Sequence, residues 1–112
     1  MSYDISITKH CSHCDHTEIL YEQSYTFNVR PMYVLAFDNE LGIKILNTLS
    51  TKMASVFLFK AINYMCAYKE ELTKLNPLNG WGNYEGALNV LVSLHSNCIK
   101  YSTDDYIVEI GW

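Results

Sequence analysis

The residue types best suited to metal chemistry are concentrated near the start of the chain, in the segment His10-Cys11-Ser12-His13-Cys14-Asp15-His16. Two cysteines separated by two residues can direct both thiolates at one tetrahedral ion, and imidazole nitrogens nearby can complete its shell. The spacing therefore predicts a zinc knuckle with a structural Zn²⁺. A Cys-x-x-Cys pair supplies only half of such a site, so further ligands must come from this segment or from distant positions.

Several residues could complete the zinc shell. His16 follows Cys14 by two residues and can chelate locally, while His95 and Cys98 lie three residues apart and share one face of a predicted helix. Both reach the knuckle if the first and last strands are antiparallel neighbours. We therefore predict metal ligands among Cys11, Cys14, His16, Cys98 and His95.

Each distant candidate also has a purely structural interpretation. Cys98 and Cys66 could be small buried core residues, and His95 could be a hydrogen-bonded core histidine. Redox chemistry is not favoured, because a thioredoxin-like Cys-x-x-Cys begins a helix, whereas residues 18–27 are predicted to form a strand. A catalytic zinc assisted by Asp15 or Glu18 remains an alternative.

The sequence contains no P-loop, nucleophile elbow or dinucleotide fingerprint, so we expect no enzymatic activity. Twelve acidic residues against eight basic ones give a net charge of −4, and Arg30 is the single arginine. This balance disfavours nucleic-acid binding, which normally uses a basic surface, but suits a basic protein partner. We expect a cytoplasmic protein, because no signal peptide or membrane span is visible.

The elements that must position these residues follow from hydrophobic periodicity. Alternation predicts strands over residues 2–8, 18–27 and 106–110. Pro31 favours the start of a short helix over 31–38, Ser50 or Thr51 can cap a helix to Tyr68, and Asn83 can cap a helix over 84–100. The fold class is therefore α+β in a single domain over residues 1–112. The order β-β-α-α-α-β predicts a small, mainly antiparallel three-stranded sheet with helices packed on one face.

Helical spacing also predicts which side chains face the core. On the first long helix these are Met53, Phe57, Ala61 or Ile62, Tyr64, Met65 and Tyr68, with Phe59 either buried beside them or part of a partner-binding patch. On the last helix they are Leu88, Leu91, Val92, His95, Cys98 and Ile99.

The loop Asn76-Pro77-Leu78-Asn79-Gly80-Trp81-Gly82-Asn83 is rich in turn-forming residues. Its Trp81 side chain could pack over the core, or it could form an aromatic platform for a ligand ring or a partner. Three residues near the predicted strand-to-helix turn, Asn28, Arg30 and Tyr33, could line an anion pocket.

Two segments carry a family resemblance: Tyr25-Thr26-Phe27-Asn28-Val29-Arg30-Pro31-Met32, and the Asn-Pro-x-Asn-Gly-Trp-Gly-x-Tyr motif over residues 76–84. With the knuckle and Cys98, they make nearly the whole chain similar to a family of small phage and bacterial proteins. The chain departs from the family pattern at Asp15, where many relatives have glycine, and at Phe27, where some have histidine. The resemblance implies no enzymatic activity.

Phage association implies an inhibitor of host defence, and a zinc-containing type II anti-CRISPR protein is the match that the resemblance favours. Such a protein would bind the CRISPR effector Cas9 in the host bacterial cytoplasm and block its DNA handling. Candidate partner-binding residues are Phe59, Trp81, Glu70, Glu71, Asp104 and Asp105. Two alternatives remain: a sponge protein that binds a nucleotide signal through the Arg30 region, Trp81 and tyrosines, and a small zinc-dependent hydrolase.

Overall fold

The computed structural model of this chain describes residues 2–10, 17–102 and 105–112. Short 3-10 segments, Phe27–Val29 and Gly42–Leu46, lie before and after the first helix. The architecture is α+β, as the sequence predicts, and one short helix, Lys69–Thr73, is additional to the three predicted helices. The regular elements are β1 (Ser2–His10), β2 (Thr17–Thr26), α1 (Arg30–Ala36), α2 (Thr51–Ala67), α3 (Lys69–Thr73), α4 (Tyr84–Lys100) and β3 (Tyr106–Gly111).

The three strands form one antiparallel sheet in the order β2-β1-β3. The first and last strands of the chain are therefore neighbours, and β1 and β2 form the predicted hairpin. Because side chains alternate along a strand, Tyr3, Ile5 and Ile7 of β1 share one face, and all three are buried in the core. On the same face, Val108 and Ile110 of β3 are buried beside them.

The two edges of the sheet differ. Residues 47–50 run along the outer edge of β3, where the Thr48 amide donates to the Val108 carbonyl and the Val108 amide donates to the Leu49 carbonyl, both at 2.8 Å. The Asn47 side chain accepts from the Ile110 amide at 2.9 Å. In the part of the chain that the structure describes, no strand pairs with the outer edge of β2.

Helix α2 begins where the sequence predicts, with the Ser50 hydroxyl accepting from the Met53 amide at 3.2 Å. The predicted buried face is wrong in part, because Met53, Phe57 and Tyr68 are exposed. The prediction placed mainly large apolar residues on the buried face, whereas the observed face includes small residues that permit close packing. The buried set is Thr51, Ala54, Leu58, Ala61 and Met65.

Helix α4 has the predicted limits, but its buried face is also rotated from the predicted one. Val92 and Ile99 are exposed, and His95 is half-buried. The residues that reach the core instead include several that the pattern omits, because the helix packs on both the sheet and α2. The buried set is Tyr84, Ala87, Val90, Leu91, Leu94 and Cys98.

Helices α2 and α4 pack side by side in opposite directions. At one end the Tyr84 hydroxyl donates to the Met65 carbonyl, and at the other the Thr51 hydroxyl donates to the Tyr101 carbonyl, both at 2.7 Å. The Tyr101 ring lies 5.9 Å from that of Tyr106, which pairs with Lys9. The end of α4 therefore lies near the end of β1 and the start of β3.

Candidate functional site

A surface cleft of about 560 Å³ lies where the end of β2 meets the loop before α4. It joins residues from both of the segments that carry the family resemblance. Its volume is within the range of small-molecule sites, which combine an aromatic or apolar wall with a few polar groups. The described lining residues are all uncharged: Ser2, Ser24, Tyr25, Thr26, Asn28, Asn79 and Trp81.

The loop beside the cleft is held by its own asparagines. The Asn76 side chain accepts from the Tyr84 amide at 2.9 Å, and that of Asn79 accepts from the Trp81 amide at 3.0 Å. The Asn83 side chain accepts from the Gly86 amide at 2.8 Å and so caps α4. These local bonds stabilise turns, so the amide-rich composition of the loop is explained by its own structure.

The Trp81 side chain lies largely in solvent. It is 69% exposed, and the neighbouring Leu78 is fully exposed. The interpretation in which Trp81 packs over the core is therefore wrong, because the loop turns its indole outward onto the cleft. Together with Leu78, the Trp81 indole forms an exposed apolar surface beside a concave cleft, which makes this loop a candidate recognition surface.

Two glycines allow the loop and α4 to contact β2. A Cβ on Gly82, where φ is +93°, would overlap the Thr26 methyl group, and a Cβ on Gly86 would overlap the Tyr25 hydroxyl. The Tyr25 hydroxyl also accepts a hydrogen bond from the Asn83 amide at 3.2 Å. Close backbone approach at these glycines therefore places Trp81 opposite the end of β2.

The residues predicted to line an anion pocket do not lie in one pocket. Asn28 lines the cleft, but Tyr33 is fully buried and its hydroxyl donates to the Ala87 carbonyl at 2.9 Å. Burial raises the Tyr33 pKa well above its usual value. The Arg30 guanidinium donates to the Glu40 carbonyl at 2.6 Å, with its carbon 6.0 Å from the Phe27 ring centre.

Comparison of the chain with protein-family models, with curated proteins and with solved structures finds no match in any of the three. The resemblance to a phage and bacterial family therefore stays a prediction. The functional argument rests on the geometry of the described residues.

The predicted zinc ligands fall into two groups. Cys11, Cys14 and His16 lie outside the described residues. Within residues 2–10, 17–102 and 105–112, no group of three or more histidine, cysteine, aspartate or glutamate side chains could hold a metal ion. The structural zinc at the knuckle stays a prediction.

The two distant zinc candidates, Cys98 and His95, lie in different surroundings on α4. Cys98 is completely buried, and burial raises its pKa from 9.0 to about 12. His95 is half-buried beside Phe59 of α2, with the ring centres 6.4 Å apart. A spacing of three residues places two side chains on neighbouring parts of a helix, and here one turns to the core and the other to α2. Cys98 thus also fits its alternative as a buried core residue.

The candidate partner-binding residues lie on separate elements. Phe59, in the middle of α2, is 58% exposed, while Glu70 and Glu71 are exposed on α3 and Trp81 lies in the loop before α4. Asp105 is exposed just before β3, and Asp104 lies outside the described residues. The described members therefore offer several binding surfaces, of which the Trp81 cleft has a concave shape.

Sequence reasoning missed part of the cleft wall. Ser2, Ser24, Thr26 and Asn79 were not proposed as site residues, although Thr26 and Asn79 belong to the two resemblance segments. Their proximity to Trp81 depends on a contact between residues 58 positions apart, Tyr25 and Asn83. Both segments carry the family resemblance, and this common property could have predicted that they lie side by side.

Proposed function

We propose that this chain is a binding protein whose recognition site is the Trp81 cleft, and whose ligand presents a flat ring to the indole. The observation that carries this proposal is that Trp81 is 69% exposed at a cleft while the asparagines of its loop hold the backbone in place. A rigid aromatic surface loses little conformational entropy when a ligand binds. The proposal develops the small-molecule alternative rather than the effector-inhibitor hypothesis.

Titration followed by the indole N–H resonances in nitrogen-15 NMR spectra tests the proposal. The chain has two tryptophans, and the second provides an internal control. The Trp112 ring packs 6.0 Å from Tyr3 and 5.7 Å from Phe27, with the Lys44 ammonium 4.2 Å from its centre. We expect that at least one ring compound, adenosine or methyl glucoside, shifts the Trp81 indole resonance and leaves the Trp112 resonance unchanged. Equal shifts at both tryptophans, or none, would contradict the proposal.

A second candidate function is inhibition of a basic effector such as Cas9 through protein contacts. It is supported by the exposure of Phe59, Glu70 and Glu71 together with the net charge of −4. The guide–target duplex of Cas9 occupies a positively charged channel, and opposite charges accelerate association. Zinc at the knuckle would stabilise the fold in this proposal without taking part in catalysis.

Cleavage of DNA by guide-loaded Cas9, titrated with this protein, tests the second candidate. We expect dose-dependent loss of cleavage with co-migration of the two proteins. Glu70→Lys should weaken inhibition more at low salt than at high salt, whereas Glu22→Lys, on the exposed part of β2, serves as a charge-matched control. Unimpaired cleavage across several Cas9 orthologues would remove this candidate and leave the Trp81 proposal intact.

The proposed location is the bacterial cytoplasm. Among the described residues, no helix combines the length and apolar composition needed to cross a membrane. The expected lack of enzymatic activity stays a prediction, and so does the opposing hydrolase alternative.

A further inference from the structure

We infer that the ligand of the Trp81 cleft is an uncharged sugar ring, a hexopyranose, rather than a nucleotide. This inference rests on the proposed function, because it specifies the ligand class of the same site. It follows from four properties of the cleft: the exposed aromatic face, the hydrogen-bonding chemistry of the wall, the absence of a cation among the wall residues that the structure describes, and the fixed position of the loop.

The aromatic face suits a saturated ring. The face of an indole carries partial negative charge from its π electrons, and one face of a pyranose presents several C–H groups polarised by the attached oxygens. Contact between the two is weakly attractive through C–H···π interactions and removes apolar surface from water. Trp81, being 69% exposed at the rim of a cleft of about 560 Å³, has the area for one such ring.

The polar wall matches hydroxyl groups. Ser2, Ser24 and Thr26 contribute hydroxyls, and Asn28 and Asn79 contribute amides. Hydroxyl and amide side chains both donate and accept hydrogen bonds, as sugar hydroxyls do. The Ser24 hydroxyl donates to Asp4 and the Thr26 hydroxyl accepts from the Asn28 amide, so each keeps a further hydrogen-bonding position for a ligand. A nucleobase edge instead presents a fixed order of donors and acceptors, whereas single hydroxyls on separate residues match the separate hydroxyls of a sugar.

The electrostatics disfavour an anion. Among the described residues that line the cleft, none is charged. Arg30, two residues beyond Asn28, is held by the Glu40 carbonyl at 2.6 Å. On the other side, the Ser24 hydroxyl donates to the Asp4 carboxylate at 3.2 Å, which places a negative charge beside the cleft. A phosphate bound here would meet a carboxylate and lack the cationic partner that phosphate sites normally supply.

The loop holds the platform in position without the ligand. The Asn79 side chain accepts from the Trp81 amide, and the close contacts of Gly82 and Gly86 with β2 hold the end of the loop and the start of α4. Such preorganisation allows a weak stacking contact to contribute to affinity, because little ordering cost opposes it.

The experiment titrates the full chain with four probes, methyl β-glucoside, an uncharged glucose tetrasaccharide, adenosine and AMP, and follows the Trp81 indole N–H resonance. We expect both saccharides to shift this resonance at millimolar concentrations and AMP to bind more weakly than either. Trp81→Ala should weaken saccharide binding by about tenfold or more, measured by ligand-observed NMR. Phe57→Ala, which removes an exposed ring on α2, should leave binding unchanged.

The outcomes separate the sugar inference from the proposed function. Binding of adenosine at Trp81 without saccharide binding overturns the sugar class and leaves the ring-binding proposal in place. Tighter binding of AMP than of adenosine overturns the electrostatic argument. If no probe shifts Trp81, while circular dichroism shows an intact fold, both proposals fall. A tetrasaccharide that binds more tightly than the methyl glucoside identifies the source as a glycan chain, and equal affinities identify a single sugar.

Discussion

The Tyr25 hydroxyl lies so close to the backbone of Gly86 that a Cβ at this helix position would overlap it. The same hydroxyl accepts from the Asn83 amide at 3.2 Å. One side chain at the end of β2 therefore contacts the first turn of α4 and the end of the loop that carries Trp81. This contact couples the stability of the helix start to the geometry of the cleft.

Gly86→Ala should destabilise the protein, although alanine is normally favoured over glycine within a helix by about 1 kcal/mol. The added methyl group would meet the Tyr25 ring, and overpacking of this kind costs about 1–3 kcal/mol. Urea unfolding measures the change, with Ser93→Ala at an exposed position of α4 as the control. In the double variant with Tyr25→Ala, the total loss of unfolding free energy should be smaller than the sum of the losses in the two single variants. A Gly86→Ala variant more stable than the parent would contradict the contact.

Asn83→Ala should lower the free energy of unfolding by about 1 kcal/mol, because the side chain that accepts from the Gly86 amide would be lost. Asn89→Ala changes the same residue type at an exposed position inside α4. That control should be neutral or slightly stabilising, since alanine has the higher helix propensity. Equal losses in both variants would show that the effect is not due to capping.

Tyr3→Phe should be neutral or stabilising by about 1 kcal/mol, because the buried Tyr3 hydroxyl has no hydrogen-bond partner among the described residues. The matched change Tyr33→Phe removes a hydroxyl that donates to the Ala87 carbonyl at 2.9 Å, so it should destabilise by about 1 kcal/mol. Thermal and urea unfolding of both variants distinguish the two cases. A loss of stability in Tyr3→Phe as large as in Tyr33→Phe would mean that the Tyr3 hydroxyl is paired.

Stability should fall at alkaline pH. Burial raises the pKa of Cys98 from 9.0 to about 12 and that of Tyr3 from 10.0 to about 12. Above pH 9 the unfolded chain loses these protons while the folded chain keeps them, so the folded state binds more protons and becomes less stable as pH rises. This contribution is fully present below pH 9 and is lost towards pH 12. Unfolding measured at several pH values should show a shallower decline for Tyr3→Phe than for the parent.

Cys14→Ser should remove zinc and lower the melting temperature sharply, because binding of a structural zinc is coupled to folding with an apparent free energy on the order of 10 kcal/mol. Cys66→Ser is the control, since Cys66 is an exposed free cysteine on α2. Metal content by mass spectrometry and melting by circular dichroism provide separate readouts. A Cys14→Ser variant that melts like the parent would overturn the structural-zinc prediction.

Local sequence signals predicted the limits of the elements well. Asn83 caps α4 and Ser50 caps α2 because short polar side chains can accept from the exposed amides of a helix start. Period-two alternation located β1 and β3 because one face of the sheet is buried. The pairing of the first and last strands was only a condition of the zinc-site argument, and the sheet order β2-β1-β3 shows it.

Long-range packing was not predictable in the same way. Ile99 is exposed and Val90 is buried because the sheet and α2 together decide which part of α4 is covered. The exposure of Trp81 depends on how Gly82 and Gly86 contact Tyr25 and Thr26, more than fifty positions earlier. Periodicity along one helix contains no information about such a contact.

The unequal edges of the sheet limit how copies of this chain could polymerise. The hydrogen bonds of residues 47–50 occupy the outer edge of β3, so within residues 2–10, 17–102 and 105–112 the edge of β2 is the one open to strand pairing between copies. Two molecules joined in this way would pair their β2 edges into one six-stranded sheet, and residues 47–50 would cover both of its outer edges. Fibre growth needs two free edges per molecule. Because residues 47–50 cover one of them, this segment prevents the sheet from extending beyond two molecules.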